Sequence, residues 1–209
     1  MSAAQELSQR TVQLHGSRVA RALLRLAGWE VLFDGLPAAQ GVAVVYPHTS
    51  NWDFPIGVLA KWAIGIPVIF WAKDTLFRVP LFGRWLRWLG GVPVRRHTPQ
   101  GAVAGMIERM RGARSSGEFL WLALAPEGTR SRSEGWRTGF YRVASEAGVP
   151  LALVVFDYGR RRIGFESFWR VSDAMGADFT LFAQRLAGCR GLRHHLAAPV
   201  RPLERQTPR

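Results

Sequence analysis

A histidine followed five positions later by an aspartate, His48-Thr49-Ser50-Asn51-Trp52-Asp53, is the stretch of this 209-residue chain best suited to moving a proton. An imidazole with one ring nitrogen held by a carboxylate keeps the other free to accept a proton, which is what a general base requires. Along one regular helix five residues turn through about 500°, leaving the two side chains roughly 140° apart. Pairing therefore needs a turn that folds Asp53 back onto His48. A lone pair at this spacing is often a surface or structural feature, so its surroundings decide.

A second polar stretch, Pro126-Glu127-Gly128-Thr129-Arg130, follows a strongly apolar run and is succeeded by Arg132 and Arg137. Gly128 permits close backbone approach, and guanidinium forks match phosphate oxygens. Arg95 and Arg96, after the short apolar run Val92-Pro93-Val94, offer two more cations for the same anion.

The elements that must position these residues alternate. The spacing predicts a helix over residues 5–27 closed by Gly28, with Val12, Val19, Leu23 and Leu26 on one face and Arg10, Arg18, Arg21 and Arg25 on the other. Strands are expected over 29–33, 42–46, 66–71, 92–94, 119–125 and 151–158. Helices are expected over 53–64, 75–89 (broken near Pro80), 99–114, 138–147 and 177–186. Asn51 and Asp53 supply capping side chains for the helix at 53. Residues 160–169 read as an edge hairpin, and the Pro- and Arg-rich tail as loose. This alternation predicts an α/β fold, a mainly parallel or mixed central sheet flanked by helices, with an N-terminal amphipathic helix. Ligands of such sheets bind beyond the carboxyl ends of the strands, where the His48, Arg96 and Glu127 loops all fall.

Length and an apolar share of 48% fit one folded domain over 1–209, with a helix at 1–28, a core at 36–158 and a basic tail at 190–209. The 28 basic against 15 acidic residues give a charge of +13, which favours polyanionic partners. Nine tryptophans turn that preference toward a membrane interface. The single cysteine, Cys189, excludes a disulfide framework and a Cys-based zinc site. No signal pattern or membrane-spanning run is evident, so the expected setting is cytoplasmic, on the inner face of the cytoplasmic membrane. No recognised nucleic-acid motif appears, and nucleic acid is not an expected partner.

Taken together, the stretches resemble the membrane-associated glycerolipid acyltransferases, the lysophosphatidate acyltransferases and their relatives. His48 to Asp53 is similar to that family's H-x4-D motif, with Pro47 where asparagine is common. Gly91-Val92-Pro93-Val94-Arg95-Arg96 resembles its second motif, with Arg95 where an acid is common. Pro126-Glu127-Gly128-Thr129-Arg130-Ser131 matches the third, and Val149-Pro150-Leu151 resembles the fourth. Arg137-Thr138-Gly139 resembles a segment that usually starts with lysine.

The resemblance implies acyl transfer without an acyl-enzyme. His48 would deprotonate an acceptor hydroxyl, which attacks the thioester of acyl-CoA or acyl-carrier protein, while Asp53 orients the imidazole. Arg96, Glu127, Gly128, Thr129, Arg130 and Arg137 would hold the acceptor. The implied acceptor is a lysophospholipid, foremost 1-acylglycerol-3-phosphate. No metal or cofactor is implied beyond the thioester donor, and an anionic membrane surface is the implied partner. The departures at Arg95 and Arg137 leave an amino-acid-containing lysolipid as an alternative acceptor. A thioester hydrolase and a non-catalytic basic binding module are the competing classes.

Overall fold

A computed structural model describes residues 3–94 and 99–203. Eight strands form one sheet: β1 (Gln5–Glu6), β2 (Glu30–Leu32), β3 (Gln40–Tyr46), β4 (Ile69–Lys73), β5 (Gly91–Val94), β6 (Leu120–Leu124), β7 (Leu151–Asp157) and β8 (Arg162–Arg170). Their order is β1-β8-β7-β3-β6-β4-β5, with β2 also on β8. Every pair from β7 to β5 is parallel, and β8 joins β7 antiparallel through a tight hairpin. The sheet is thus mixed with a parallel centre.

Side chains alternate across a strand, and β3 and β7 are apolar on both sides because both faces are covered. Val42, Val44 and Tyr46 of β3, with Leu151, Leu153 and Val155 of β7, enter the larger core. There they meet α4 (Pro99–Ser116), α5 (Gly139–Ala147) and α6 (Met175–Arg185). Ala43, Ala152 and Val154 face the other side, over Trp121, Phe165 and Phe168. On that side lie α1 (Arg18–Leu26) and α2 (Asp53–Ile64), which seat Ala20, Leu24, Ala60 and Ala63 around Phe156. The remaining helix, α3 (Pro80–Trp88), packs Leu86 inward beside β5.

Three expectations are corrected. The N-terminal helix is confined to Arg18–Leu26; Gln5–Glu6 pairs with Arg170 and Trp169, and Val12 bridges Leu36. Within the helix Ala20 and Leu24 go inward while Val19, Leu23 and Leu26 face outward. Residues 160–169 do not make an edge hairpin, since β8 lies inside the sheet with β7 on one side and β1 and β2 on the other. Residues 191–203 are not loose. Ala198 is buried, Trp136 bridges Pro202, and the Leu203 N–H donates to the Trp136 carbonyl at 2.8 Å.

One feature of this topology locates a crevice. From β3 the chain crosses through α2 to β4, whereas from β6 it crosses through α5 to β7 on the opposite side. The adjacent strands β3 and β6 therefore send their connections apart, and a crevice opens beyond their carboxyl ends. His48 follows β3 there, and Glu127 follows β6.

Candidate active site

The chain leaves β3 through a cis Tyr46–Pro47 peptide bond and turns at once into α2. Asp53 is the first residue of that helix, and no side chain caps it. The expected cap is replaced by a different use of the carboxylate. Its Oδ2 lies 3.0 Å from His48 Nδ1 and accepts the Ser50 N–H at 2.9 Å. Its Oδ1 accepts the Tyr158 hydroxyl at 2.8 Å. The Trp52 N–H donates to Ser50 Oγ at 3.2 Å, tightening the turn that sequence spacing required.

Asp53 is only 3% exposed. Burial alone raises a carboxyl pKa, but hydrogen bonds from His48, the Ser50 N–H and Tyr158, with the charge of His48, outweigh it and hold Asp53 below its ordinary value. The position at a helix N-terminus favours the same anion. An ionised Asp53 facing Nδ1 assigns the imidazole proton to that nitrogen, leaving the Nε2 lone pair free to take another.

Glu127 is tied to the backbone on both sides. It is buried, its Oε2 accepts the His48 N–H at 2.7 Å, and its Oε1 accepts the Ala198 N–H at 2.9 Å. Both oxygens are thus spent on backbone. Burial pushes its pKa up, against the lowering effect of those two bonds. The Tyr46 hydroxyl in turn donates to the Ala198 carbonyl at 2.9 Å. Burial, the Glu127 charge and the Cys189 thiol raise that phenol to about 12, so it stays a donor. The Arg193 N–H adds a bond to Thr49 Oγ1 at 3.2 Å. Glu127 therefore pins the histidine backbone to the chain after Gly191.

The rest of the loop turns outward. Gly128 has φ of +66°, and a Cβ there would fall 2.7 Å from Arg137 Nε, so the loop and that guanidinium need a glycine. Thr129 Oγ1 accepts the Ser131 N–H at 3.1 Å, and Arg130, Arg132 and Arg137 are exposed. Among the described residues none of these arginines pairs with a carboxylate. The structure thus brings His48, Asp53, Glu127 and Gly128 together, with Thr129, Arg130 and Arg137 along the same rim. Arg96 and its neighbour Arg95 lie outside the described residues.

Sequence reasoning missed Tyr158, Ala198 and Tyr46. Tyr158 was read only as the end of a strand, and its placement directly after β7, beside β3, was the available signal.

A tautomer-fixed histidine in the crevice of an α/β sheet, beside a loop of unpaired arginines, suits general-base chemistry on an anionic substrate. The family model for acyltransferases matches residues 29–157, and the chain belongs to that family. It is 30% identical over 134 residues to lysophosphatidylcholine acyltransferase 2 of Danio rerio, covering 63% of this chain and 24% of that protein. A chloroplastic 1-acyl-sn-glycerol-3-phosphate acyltransferase of Brassica napus is 24% identical over 124 residues, covering 58% of this chain and 34% of that one. The chain thus spans about a quarter to a third of the length of these curated relatives. The crystal structure of the 1-acyl-sn-glycerophosphate acyltransferase of Thermotoga maritima aligns with a TM-score of 0.43 at 22% identity, over 70% of this chain and 63% of that one.

Proposed function

We propose that the protein transfers a fatty acyl group from a thioester, acyl-CoA or acyl-carrier protein, to the free hydroxyl of a lysophospholipid. The reading is carried by the His48–Asp53 pair, in which Nδ1 is held at 3.0 Å and Nε2 is left for substrate. His48 Nε2 takes the acceptor hydroxyl proton as its oxygen bonds to the thioester carbonyl carbon. The tetrahedral oxyanion collapses, the carbon–sulfur bond breaks, and the imidazolium returns the proton to the departing thiolate. Asp53 stabilises the imidazolium in between, a contribution of about 10²–10⁴ in rate for the base as a whole.

The acceptor we assign is 1-acylglycerol-3-phosphate. Arg130 and Arg137, exposed and without carboxylate partners among the described residues, suit a phosphate monoester, and Arg96 is assigned to the same group. The relatives named for lysophosphatidylcholine and for 1-acyl-sn-glycerol-3-phosphate both support a lysophospholipid acceptor. The reaction is placed at an anionic membrane surface on its cytoplasmic side, in phospholipid synthesis, and needs no metal or cofactor. No helix of the described residues is long and apolar enough to cross a membrane.

The test is thiol release from palmitoyl-CoA with and without lysophosphatidate, comparing the unmodified chain with His48→Ala. Release that requires both His48 and the acceptor supports transfer. Release that requires His48 but not the acceptor would make the protein a hydrolase.

A further inference from the structure

Helix α3 is built inside out. At about 100° per residue, its inward face carries only Gly83 and Leu86, while Leu81, Trp85 and Trp88 form a stripe on the opposite side. A Cβ at Gly83 would lie 2.5 Å from the Phe77 carbonyl, so the helix is pressed onto the protein by its smallest residue. Leu81 is 81% and Trp88 71% exposed. A globular helix ordinarily turns such residues to the core, and contiguous outward apolar area marks a contact surface.

The stripe does not stop at α3. The Trp88 ring lies 6.2 Å from that of Trp62 on α2, and Trp85 lies 5.8 Å from Phe54, the neighbour of Asp53. Trp52, just ahead of the catalytic carboxylate, is 65% exposed. An apolar and aromatic surface therefore runs to the lip of the crevice.

Charge and length identify the occupant. Residues 73–94 contain Lys73, Arg78, Arg84 and Arg87 against one acid, Asp74, which pairs with Arg78 at 3.5 Å. Arg84 flanks the stripe, and the Arg87 guanidinium sits over the Phe77 ring at 5.3 Å. A second copy would bring two such basic faces together on chains of charge +13, whereas anionic headgroups supply the opposite charge. Tryptophan favours the headgroup boundary. A nine-residue helix is about 13 Å long, far short of the roughly 30 Å hydrocarbon core, so it lies in the surface plane.

We propose that the outer face of α3, Leu81, Trp85 and Trp88 with Arg84 and the neighbouring Trp52, docks flat on an anionic lipid bilayer and holds the His48 crevice at headgroup level. The docking stands apart from the chemistry; only the link between docking and turnover rests on the acyltransferase reading.

The test is co-sedimentation of the full chain with vesicles of equal parts phosphatidylglycerol and phosphatidylethanolamine, against vesicles of phosphatidylcholine. The unmodified chain should partition to the anionic vesicles, more weakly at high salt. The double substitution Leu81→Ser with Trp88→Ser should weaken partitioning by at least about tenfold, with an unchanged circular dichroism spectrum. Turnover on short-chain, monomerically dissolved substrates should persist in that variant while turnover on bilayer-presented acceptor falls. Equal partitioning of variant and unmodified chain, or no partitioning of the unmodified chain, overturns the proposal. A dimer that the double substitution dissociates, without vesicle binding, would also overturn it and assign the face to a second copy. Loss of short-chain turnover in the unmodified chain counts against the transfer reading alone, because docking is judged by sedimentation.

Discussion

The Tyr158 hydroxyl donates to Asp53 Oδ1 at 2.8 Å, on the oxygen opposite the one that meets His48. The bond joins residues 105 positions apart, one following β7 and the other opening α2. Burial, then the hydrogen bond to Asp53 and its charge, push the phenol pKa well above its ordinary value, so Tyr158 stays a donor throughout the working pH range. A hydrogen bond to a charged group contributes about 1.5–3 kcal/mol. Tyr158→Phe is therefore expected to lower kcat roughly tenfold while leaving KM for the acceptor unchanged, and to raise the Asp53 pKa. Steady-state kinetics across pH check this; wild-type kcat in the variant would reduce Tyr158 to packing.

Asp53→Asn replaces one acceptor oxygen with an amide donor facing His48, Ser50 or Tyr158. Turnover should fall by about 10²–10⁴ with acceptor affinity retained. Because the folded carboxyl is held below its ordinary value of about 4, its stabilisation is present above that pH and is lost as pH falls through the lowered folded value. Melting curves should show the unmodified chain more stable than the variant above pH of about 5, with the gap closing in acid. A gap that does not change in acid would count against an ionised Asp53.

Glu127→Gln tests whether that residue serves the backbone. Its two oxygens accept from His48 and Ala198, so an amide leaves one N–H facing another donor. A buried unsatisfied group costs about 1–3 kcal/mol, which for a chain of this size lowers Tm by roughly 2–12 °C. Calorimetry should record that drop together with a fall in kcat. A variant of unchanged Tm that shows only a raised acceptor KM would instead return Glu127 to substrate binding.

Arg130→Ala should act on affinity. The side chain is exposed on the rim, so stability should stay within about 0.5 kcal/mol, while acceptor KM rises about tenfold or more for loss of a charge-assisted contact. Arg130→Lys should recover only part of that, since an ammonium lacks the bidentate fork. An unchanged KM in the alanine variant would remove the phosphate role.

The continuous apolar runs within 42–46 and 151–158 were enough to find these two neighbouring strands, because a doubly covered strand is apolar whatever lies beside it. The start of α2 at Asp53 and its end before Gly65 were equally legible. The N-terminus was not: Gln5 pairs with Arg170 and Val12 with Leu36, and such distant partners leave no periodic trace in the pairing segment. The apolar residues of α1 and α3 carried the right helical spacing but left their direction open, since spacing does not say whether a stripe meets a core or faces outward. In the site, the His48–Asp53 pairing was readable from residue type, whereas the third hydrogen-bonding partner Tyr158 and the backbone role of Glu127 depend on which strands become neighbours.

The strap formed by residues 191–203 has a consequence for how the protein is made. Glu127 reaches Ala198 across 71 residues, Thr49 receives the Arg193 N–H across 144, and Tyr46 meets the Ala198 carbonyl across 152. A ribosome delivers His48 and Asp53 early, but the clasp that fixes the histidine's backbone exists only once residue 198 has emerged. A partly synthesised chain would therefore carry its base without the brace, and competence would arrive late, after the last strand of the sheet.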